Sequence, residues 1–538
     1  MKKNVLALSI TAALVGFGFA GGAQAIGLAN DSTTPVPPGI ATNLNTSVDG
    51  IGHFLYVPYY NTQGANNTMI NIVNTDTING KAVKVRFRGA ANSDDVFDFQ
   101  VFLSPGDVWT SSVTKDVNGL AHLHTSDLSC TKPDKGPDNG SAAGTLNGEA
   151  FHTVRLNSFL SGDALANETR EGYVEIFNMA DIPPYLANGT TVNDLYTAIK
   201  HVTGQPNTEP LCRTKPLTTT AWTGLENDPL GTAEANAKGL FAPSTGLFSN
   251  WIILNATDAG AWSGAATAIV ANIQGTPSTG AITYFPQTNQ GLSTANATTS
   301  RVSLFTADPV LRANPTMAAT YDLPDFSIPY TTLTSPEQQV VQLSQAIATR
   351  SIMNEFLTTS AINATTDWVL SMPTRRYSVA YDYVADARAY TTLGTPYFDS
   401  TNTTVVDRQV CITDTSISGF DQEETVPPAG QSGVIISPAK PGVTPGFNIC
   451  GEASVLSFNL GVPSTTHLIT IPSGTFKATV ARSAVEVLNA PTAGWATLKT
   501  PGIGNNGTPV LGYEAIRATA GLAAFGATLP HRTSRVQK

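Results

Sequence analysis

The sequence predicts a mainly β protein made of two β-sandwich (immunoglobulin-like) domains joined by a short helical connector. Three observations predict it. Short runs alternate apolar and polar residues with period two, turn residues separate these runs, and a single stretch carries a clear helix start followed by a 3.6-residue apolar stripe.

The strand signal is plainest in Ala82-Val83-Lys84-Val85-Arg86-Phe87-Arg88, where Val83, Val85 and Phe87 alternate with three cations. That pattern predicts a half-buried strand with one wet face. Phe97-Asp98-Phe99-Gln100-Val101-Phe102-Leu103 alternates likewise, and Met69-Ile70-Asn71-Ile72 does so more weakly. Asn79-Gly80 between two such runs is a hairpin signal, because both residues tolerate positive φ. Ser104-Pro105-Gly106-Asp107 is a second turn, leading into Val108-Trp109-Thr110. Short strands separated by turns fit a sandwich and not a βαβ unit. Further strands are expected at 172–177, 251–254, 266–273, 366–371 and 377–381, with a short helix over 193–202.

The helix start is Ser335-Pro336-Glu337-Gln338: an N-cap serine, proline at the first helical position and glutamine at the third. Val340, Leu343 and Ile347 form its stripe, and Ile352, Met353 and Phe356 form a second stripe in shifted register. Two short helices, or one kinked helix, are therefore expected to bridge the halves. The expected division is a leader peptide over 1–25, an extended segment over 26–47, a first β domain over 48–330, a connector over 331–369 and a second β domain over 370–538.

Lys2 and Lys3, the apolar stretch Val5 to Ala20, and Ala23-Gln24-Ala25 compose a secretory signal peptide with a cleavage site before Ile26. No later stretch reaches the roughly 18 apolar residues of a spanning helix, since Leu511 to Leu529 is interrupted by Glu514 and Arg517. Charged residues are 13% of the chain, about half the usual share. Apolar residues at 41% suffice for a core, which excludes whole-chain disorder. Removal of Lys2 and Lys3 with the leader takes the net charge from −10 to −12. An acidic chain without basic clusters excludes nucleic acid as the expected partner and suits divalent cations.

Cys130, Cys212, Cys411 and Cys450 are an even set in an exported chain, which implies disulfides. Proximity favours Cys130–Cys212 and Cys411–Cys450, separated by 82 and 39 positions, with two other pairings open. No close Cys-x-x-Cys or Cys/His spacing supports a zinc site instead.

Three blocks carry a resemblance. The run Asp98-Phe99-Gln100-Val101-Phe102-Leu103-Ser104-Pro105-Gly106-Asp107-Val108-Trp109-Thr110 resembles a recurring segment of secreted proteins from Gram-negative bacteria. So do Thr366-Asp367-Trp368-Val369-Leu370-Ser371-Met372-Pro373-Thr374-Arg375-Arg376-Tyr377 and Phe420-Asp421-Gln422-Glu423-Glu424. In that family of cell-surface, surface-layer-like proteins the blocks occur in this order behind a signal peptide. The resemblance implies fold and location and transfers no catalytic residue.

Candidate chemistry is sparse. Ser112-Val113-Thr114-Lys115 matches the Ser-x-x-Lys of penicillin-recognising acyl transferases, yet it ends a predicted strand where the motif needs a helix start. His122-Leu123-His124 puts two imidazoles on one face of a strand, a metal-ligand spacing that lacks a nearby third ligand. The acidic loops suit Ca2+: Asp414, Asp421, Glu423 and Glu424 first, then Asp116 with Asn118, and Asp94 with Asp95. Arg375-Arg376 is an anion-site candidate whose expected role is pairing with carboxylates across the sheet. Asn-x-Ser/Thr sequons, among them those at Asn45, Asn66, Asn139, Asn167, Asn188, Asn255, Asn296, Asn363, Asn402 and Asn506, follow from an Asn- and Thr-rich composition. The expected function is a non-enzymatic, self-assembling surface-layer or envelope component, with envelope glycan as a further partner. An adhesin or glycan-binding module is the alternative, and an exported hydrolase the third. N-terminal sequencing of the exported protein is expected to begin at Ile26, and a start at Met1 would refute the leader.

Overall fold

The computed structural model describes residues 39–132, 149–153, 155–201, 210–214, 225, 232–258, 260–284, 329–333, 336–383, 385–390, 396–422, 448–462, 469–487, 491–520 and 523–535. The protein is mainly β, and its named strands pair antiparallel except for Ala453–Phe458 beside Arg482–Val485.

The first half builds two sheets. One runs in the order Asn43–Thr46, Thr267–Ile273, Phe54–Asn61, Glu171–Ile182, Gly80–Gly89, Asp95–Leu103 and Cys130–Lys132. The other runs Gly260–Ala265, Asn250–Asn255, Asn66–Asn74, Val108–Lys115, Ala121–His124 and Glu149–Ala150. Phe99 of the first meets Trp109 of the second at 5.3 Å within one hydrophobic core. The strands at 66–74, 80–89, 95–103 and 108–115 match the alternation in the sequence, and so do those at 171–182, 250–255 and 267–273.

Two expectations change here. Asn79-Gly80 does not close a hairpin, because Asn66–Asn74 and Gly80–Gly89 lie in different sheets. The link is an arch instead, held by Asp76, whose Oδ1 accepts from Ile78 N at 2.8 Å and Asn79 N at 2.9 Å. The strand Gly80–Gly89 has no wet face: all ten residues are buried, Lys84, Arg86 and Arg88 among them. Period two shows that two faces differ in chemistry, and it does not show which of them reaches water.

In the second half, one sheet runs Ser416–Asp421, Ala493–Lys499, Ala348–Leu357 and Thr508–Pro509, with Arg532–Arg535 also paired to Ala348–Leu357. The other runs Arg482–Val485, Ala453–Phe458, Thr365–Ser371, Leu511–Ala520 and Ala523–Pro530. Pro336–Ile347 is helical as predicted and buries Val340, Leu343 and Ile347, while the proposed cap Ser335 lies outside the described residues. The second predicted helical stripe is wrong. Ile352, Met353 and Phe356 belong to the strand Ala348–Leu357, whose two edges are taken by Ala493–Lys499 and by Arg532–Arg535. Ladder bonds on both edges outweigh a weak local helical period.

The sheet centred on Thr365–Ser371 is buried on both faces. Trp368, Leu370, Leu456 and Phe458 enter the smaller core, which it shares with the neighbouring second-half sheet. Val369, Val455, Tyr513 and Ala515, on the opposite face, enter the core of the first half. Trp251 stacks on Tyr513 at 4.3 Å, and Phe476 meets Tyr59 at 5.5 Å and Trp262 at 5.3 Å. The expected domain boundaries at 330 and 370 therefore do not interrupt the packing.

Phe476 sits in a loop clamped by two buried carboxylates. Asp367 Oδ2 accepts from Thr475 N and Phe476 N, each at 2.9 Å, and Glu171 Oε1 accepts from Thr479 N at 2.7 Å. The disulfides pair Cys130 with Cys212 and Cys411 with Cys450, the latter directly opposite in adjacent strands. Phe476→Ala opens a cavity where both halves meet and is expected to cost about 3–5 kcal/mol. Denaturant unfolding checks this, and a loss within about 1 kcal/mol would mean that the seam closes without the ring.

Candidate functional site

The densest chemistry in the described residues is a buried ionic centre between the halves. It begins with the alternating strand Gly80–Gly89, whose even positions turn cations toward Glu171–Ile182 and Asp95–Leu103. Glu175 stands directly opposite Arg86 in the ladder and lies 3.3 Å from Arg88 Nε. Asp95 receives Arg86 at 3.5 Å and Arg155 at 3.1 Å, and Lys84 pairs with Asp98. From the second half, the 3-10 turn Arg375–Tyr377 brings Arg376 to Glu175 at 3.4 Å. Arg375 meets Glu452 at 2.6 Å and also donates to the Val410 carbonyl. Glu452 Oε1 accepts from Arg376 N at 3.2 Å. Arg375 and Arg376 thus pair with carboxylates, as expected from the sequence, and one of those carboxylates belongs to the other half of the chain.

Backbone closes the same seam. Glu452 N donates to the Ala90 carbonyl at 2.7 Å, and Asn92 exchanges bonds with Val410 N at 3.0 Å and the Arg408 carbonyl at 2.7 Å. Gly451 makes this approach possible: its φ is +85°, and a Cβ there would stand 2.8 Å from the Ala90 carbonyl oxygen and 2.5 Å from Ala481 Cβ.

Asp94 and Asp95, adjacent in sequence, are split between two networks. Asp95 serves the arginines, whereas Asp94 accepts from Tyr383 Oη at 2.7 Å. Glu168, which follows the helix Gly162–Asn167, is buried near Asp94, and its Oε2 has no hydrogen-bond partner among the described residues. Burial raises its carboxyl from the usual 4.5 to about 8, helped by the charges of Asp94 and Glu171. Glu514 rises to about 8 through burial and the neighbouring Glu355 charge, and it accepts from Glu355 N at 3.1 Å. Two histidines are held neutral by burial, His53 lowered to about 3 and His531 to about 4.

The other candidates take structural places. Ser112 and Lys115 lie three residues apart on the strand Val108–Lys115, so their side chains leave opposite faces and do not form a nucleophile–base pair. His122 Nδ1 and His124 Nε2 lie 2.9 Å apart, with Thr114 Oγ1 3.0 Å from the latter. The two rings are engaged with each other and with that hydroxyl. Asp116 Oδ1 accepts from Asn118 N and Leu120 N, each at 2.8 Å, which is a turn cap. Asp414 precedes the strand Ser416–Asp421 and Asp421 ends it, which puts them about 23 Å apart at an extended rise. Glu423 and Glu424 lie outside the described residues. Among the described residues no group of three or more His, Cys, Asp or Glu side chains is placed to hold a metal ion. Of the sequons, Asn45, Asn188 and Asn363 are exposed, Asn66, Asn255 and Asn402 are buried, and Asn139 and Asn296 lie outside the described residues.

Sequence reasoning missed Glu175, Glu452 and Glu168. Glu175 leaves a trace, since it interrupts the apolar run Tyr173-Val174-Glu175-Ile176-Phe177 where a cation-bearing strand would need a counter-charge. Neither the protein-family models nor the curated proteins match the chain. Among the described residues no helix is long and apolar enough to cross a membrane.

These shifts set a pH profile. Folded Glu168 and Glu514 hold their protons to about 8 while the unfolded chain releases them near 4.5, so the folded state binds more protons in that window and stability falls as pH rises through it. His53 and His531 act in the opposite sense below 6.5, where the unfolded chain takes up protons that the folded protein refuses until about 3 and 4. Thermal unfolding is expected to show greatest stability between pH 4.5 and 6.5 and a decline toward 8. Glu168→Gln is expected to flatten that decline by up to about 1.4 kcal/mol per pH unit, and an unchanged profile would contradict the assignment.

Proposed function

We propose that the protein is a non-enzymatic structural component of the cell surface, exported by its leader and assembling with copies of itself into a surface layer. The observation that supports this reading is the ionic seam: Arg376 pairs with Glu175 across the halves, Arg375 pairs with Glu452 beside it, and all four side chains are buried in these structural pairs. A body braced by buried pairs, a shared core and two disulfides is suited to bear load without changing shape. The low charge density and many hydroxyl and amide side chains leave surface that packs between subunits. Its family resemblance to surface-layer-like proteins points the same way. At −12 the mature copies repel one another, and divalent cations relieve that repulsion.

The purified mature protein is expected to form ordered sheets or filaments in negative-stain electron microscopy. Light scattering is expected to rise with millimolar Ca2+ and to fall on chelation. Protein that stays monomeric at high concentration in both conditions would exclude the array.

A further inference from the structure

One sheet face carries an exposed tryptophan directly across from an exposed carboxylate. In the sheet of Ser416–Asp421, Ala493–Lys499 and Ala348–Leu357, the inward residues Ile417, Ala496, Leu498, Ile352 and Phe356 fill the smaller core. The alternate residues point outward, and the strand registers arrange them in rows across the three strands. Phe420, Trp495 and Glu355 form one row, and Ser418, Thr497 and Met353 the next. Ser416, Lys499 and Ser351 form the third. Arg532 continues the middle row on the far edge, opposite Met353.

The first row is the informative one. Trp495 is 42% exposed, against a core in which Trp109, Trp251, Trp262 and Trp368 are fully buried. Phe420 stacks on it with centroids 4.2 Å apart and planes within 7°. The phenyl ring therefore covers one face of the indole and holds it upright. The other indole face looks along the row toward the next strand, where Glu355 stands directly across and exposed. The hydroxyls of Ser418 and Thr497 lie one row away, about 7 Å along the strands.

We propose that this face binds a neutral glycan, with a pyranose ring resting on Trp495 and its hydroxyls held by Glu355 and the neighbouring Ser and Thr side chains. A sugar ring is amphipathic in the same way as the site: its axial C–H bonds form an apolar face that an aromatic quadrupole attracts, and its rim carries hydroxyl donors. An exposed carboxylate offers acceptors to two adjacent hydroxyls, and charge-assisted bonds of that kind are the stronger ones. Charge argues for an uncharged partner: among the described residues of this face, one carboxylate and two separated cations, Lys499 and Arg532, sit among hydroxyls. An upright, pre-stacked indole also loses little freedom on binding, which favours a rigid ring ligand. The inference stands apart from the assembly reading, because neither needs the other.

The test uses the mature full chain and three soluble probes, cellohexaose, maltohexaose and chitohexaose, titrated calorimetrically to about 5 mM. At least one is expected to bind, with affinity reduced roughly tenfold or more in Trp495→Ala and in Glu355→Gln, and largely retained in Trp495→Phe. Phe525→Ala, at an exposed ring on the strand Ala523–Pro530, is expected to bind as the unaltered protein does. Thermal unfolding of each variant establishes that it is folded. Absence of binding to all three probes, or binding that Trp495→Ala leaves intact, overturns the proposal. A change in sedimentation caused by Trp495→Ala without sugar would assign the face to contacts between copies and overturn it equally.

Discussion

Charge buried at the seam is the constraint on which the rest of the structure depends. A guanidinium and a carboxylate removed from water each carry a desolvation cost of several kcal/mol, recovered only when geometry and hydrogen bonding are complete. Arg376 reaches Glu175 across the seam, while Arg375 and Arg376 N share Glu452. Glu175 is also met by Arg88 within its own half, and Arg375 and Glu452 pair within theirs, so it is the Arg376 guanidinium that depends on the opposite half and favours one relative position. Cys411–Cys450 lies beside Val410, whose carbonyl accepts from Arg375, and so the disulfide steadies the same junction.

The sheet shared by both cores extends that constraint through the molecule. Thr365–Ser371 sends Trp368 and Leu370 one way and Val369 the other, and each side is closed by a different partner sheet. A wall buried on both faces cannot tilt without opening two cores at once. The Asp367 and Glu171 carboxylates accept from backbone N–H groups of the loop carrying Phe476, and Asp367 also accepts from Ser457 Oγ at 2.6 Å. These two buried carboxylates are tolerated because each finds several donors, and they make the packing specific more than they make it strong.

That division of labour bears on function. The interior takes up Asp95, Arg375 and Arg376, candidates for cation and anion sites in the sequence, in buried ion pairs. Trp495 is informative in this context, since keeping an indole in water costs apolar burial that the other described tryptophans obtain inside.

The alternation at 82–88 and 97–103, the helix at 336–347 and the turn at 104–107 are local properties, and the sequence by itself determined them, together with an even cysteine set. Tertiary structure decided which face of each strand meets water. Lys84, Arg86 and Arg88 were legible as a polar face, but their burial depends on Glu175, Asp95 and Asp98, and the seam they border on Arg376, nearly 300 residues away. The stripe Ile352-Met353-Phe356 became a strand because two distant segments supplied ladder partners, and the Asn79-Gly80 link became an arch because its flanking strands found better neighbours elsewhere. The candidate glycan face was the least legible part. Phe420, Trp495 and Glu355 come from three separate stretches of chain, and only strand register places them in one row. Period and propensity act over a few residues, whereas register, burial and charge pairing are settled between segments that meet only after the chain has folded.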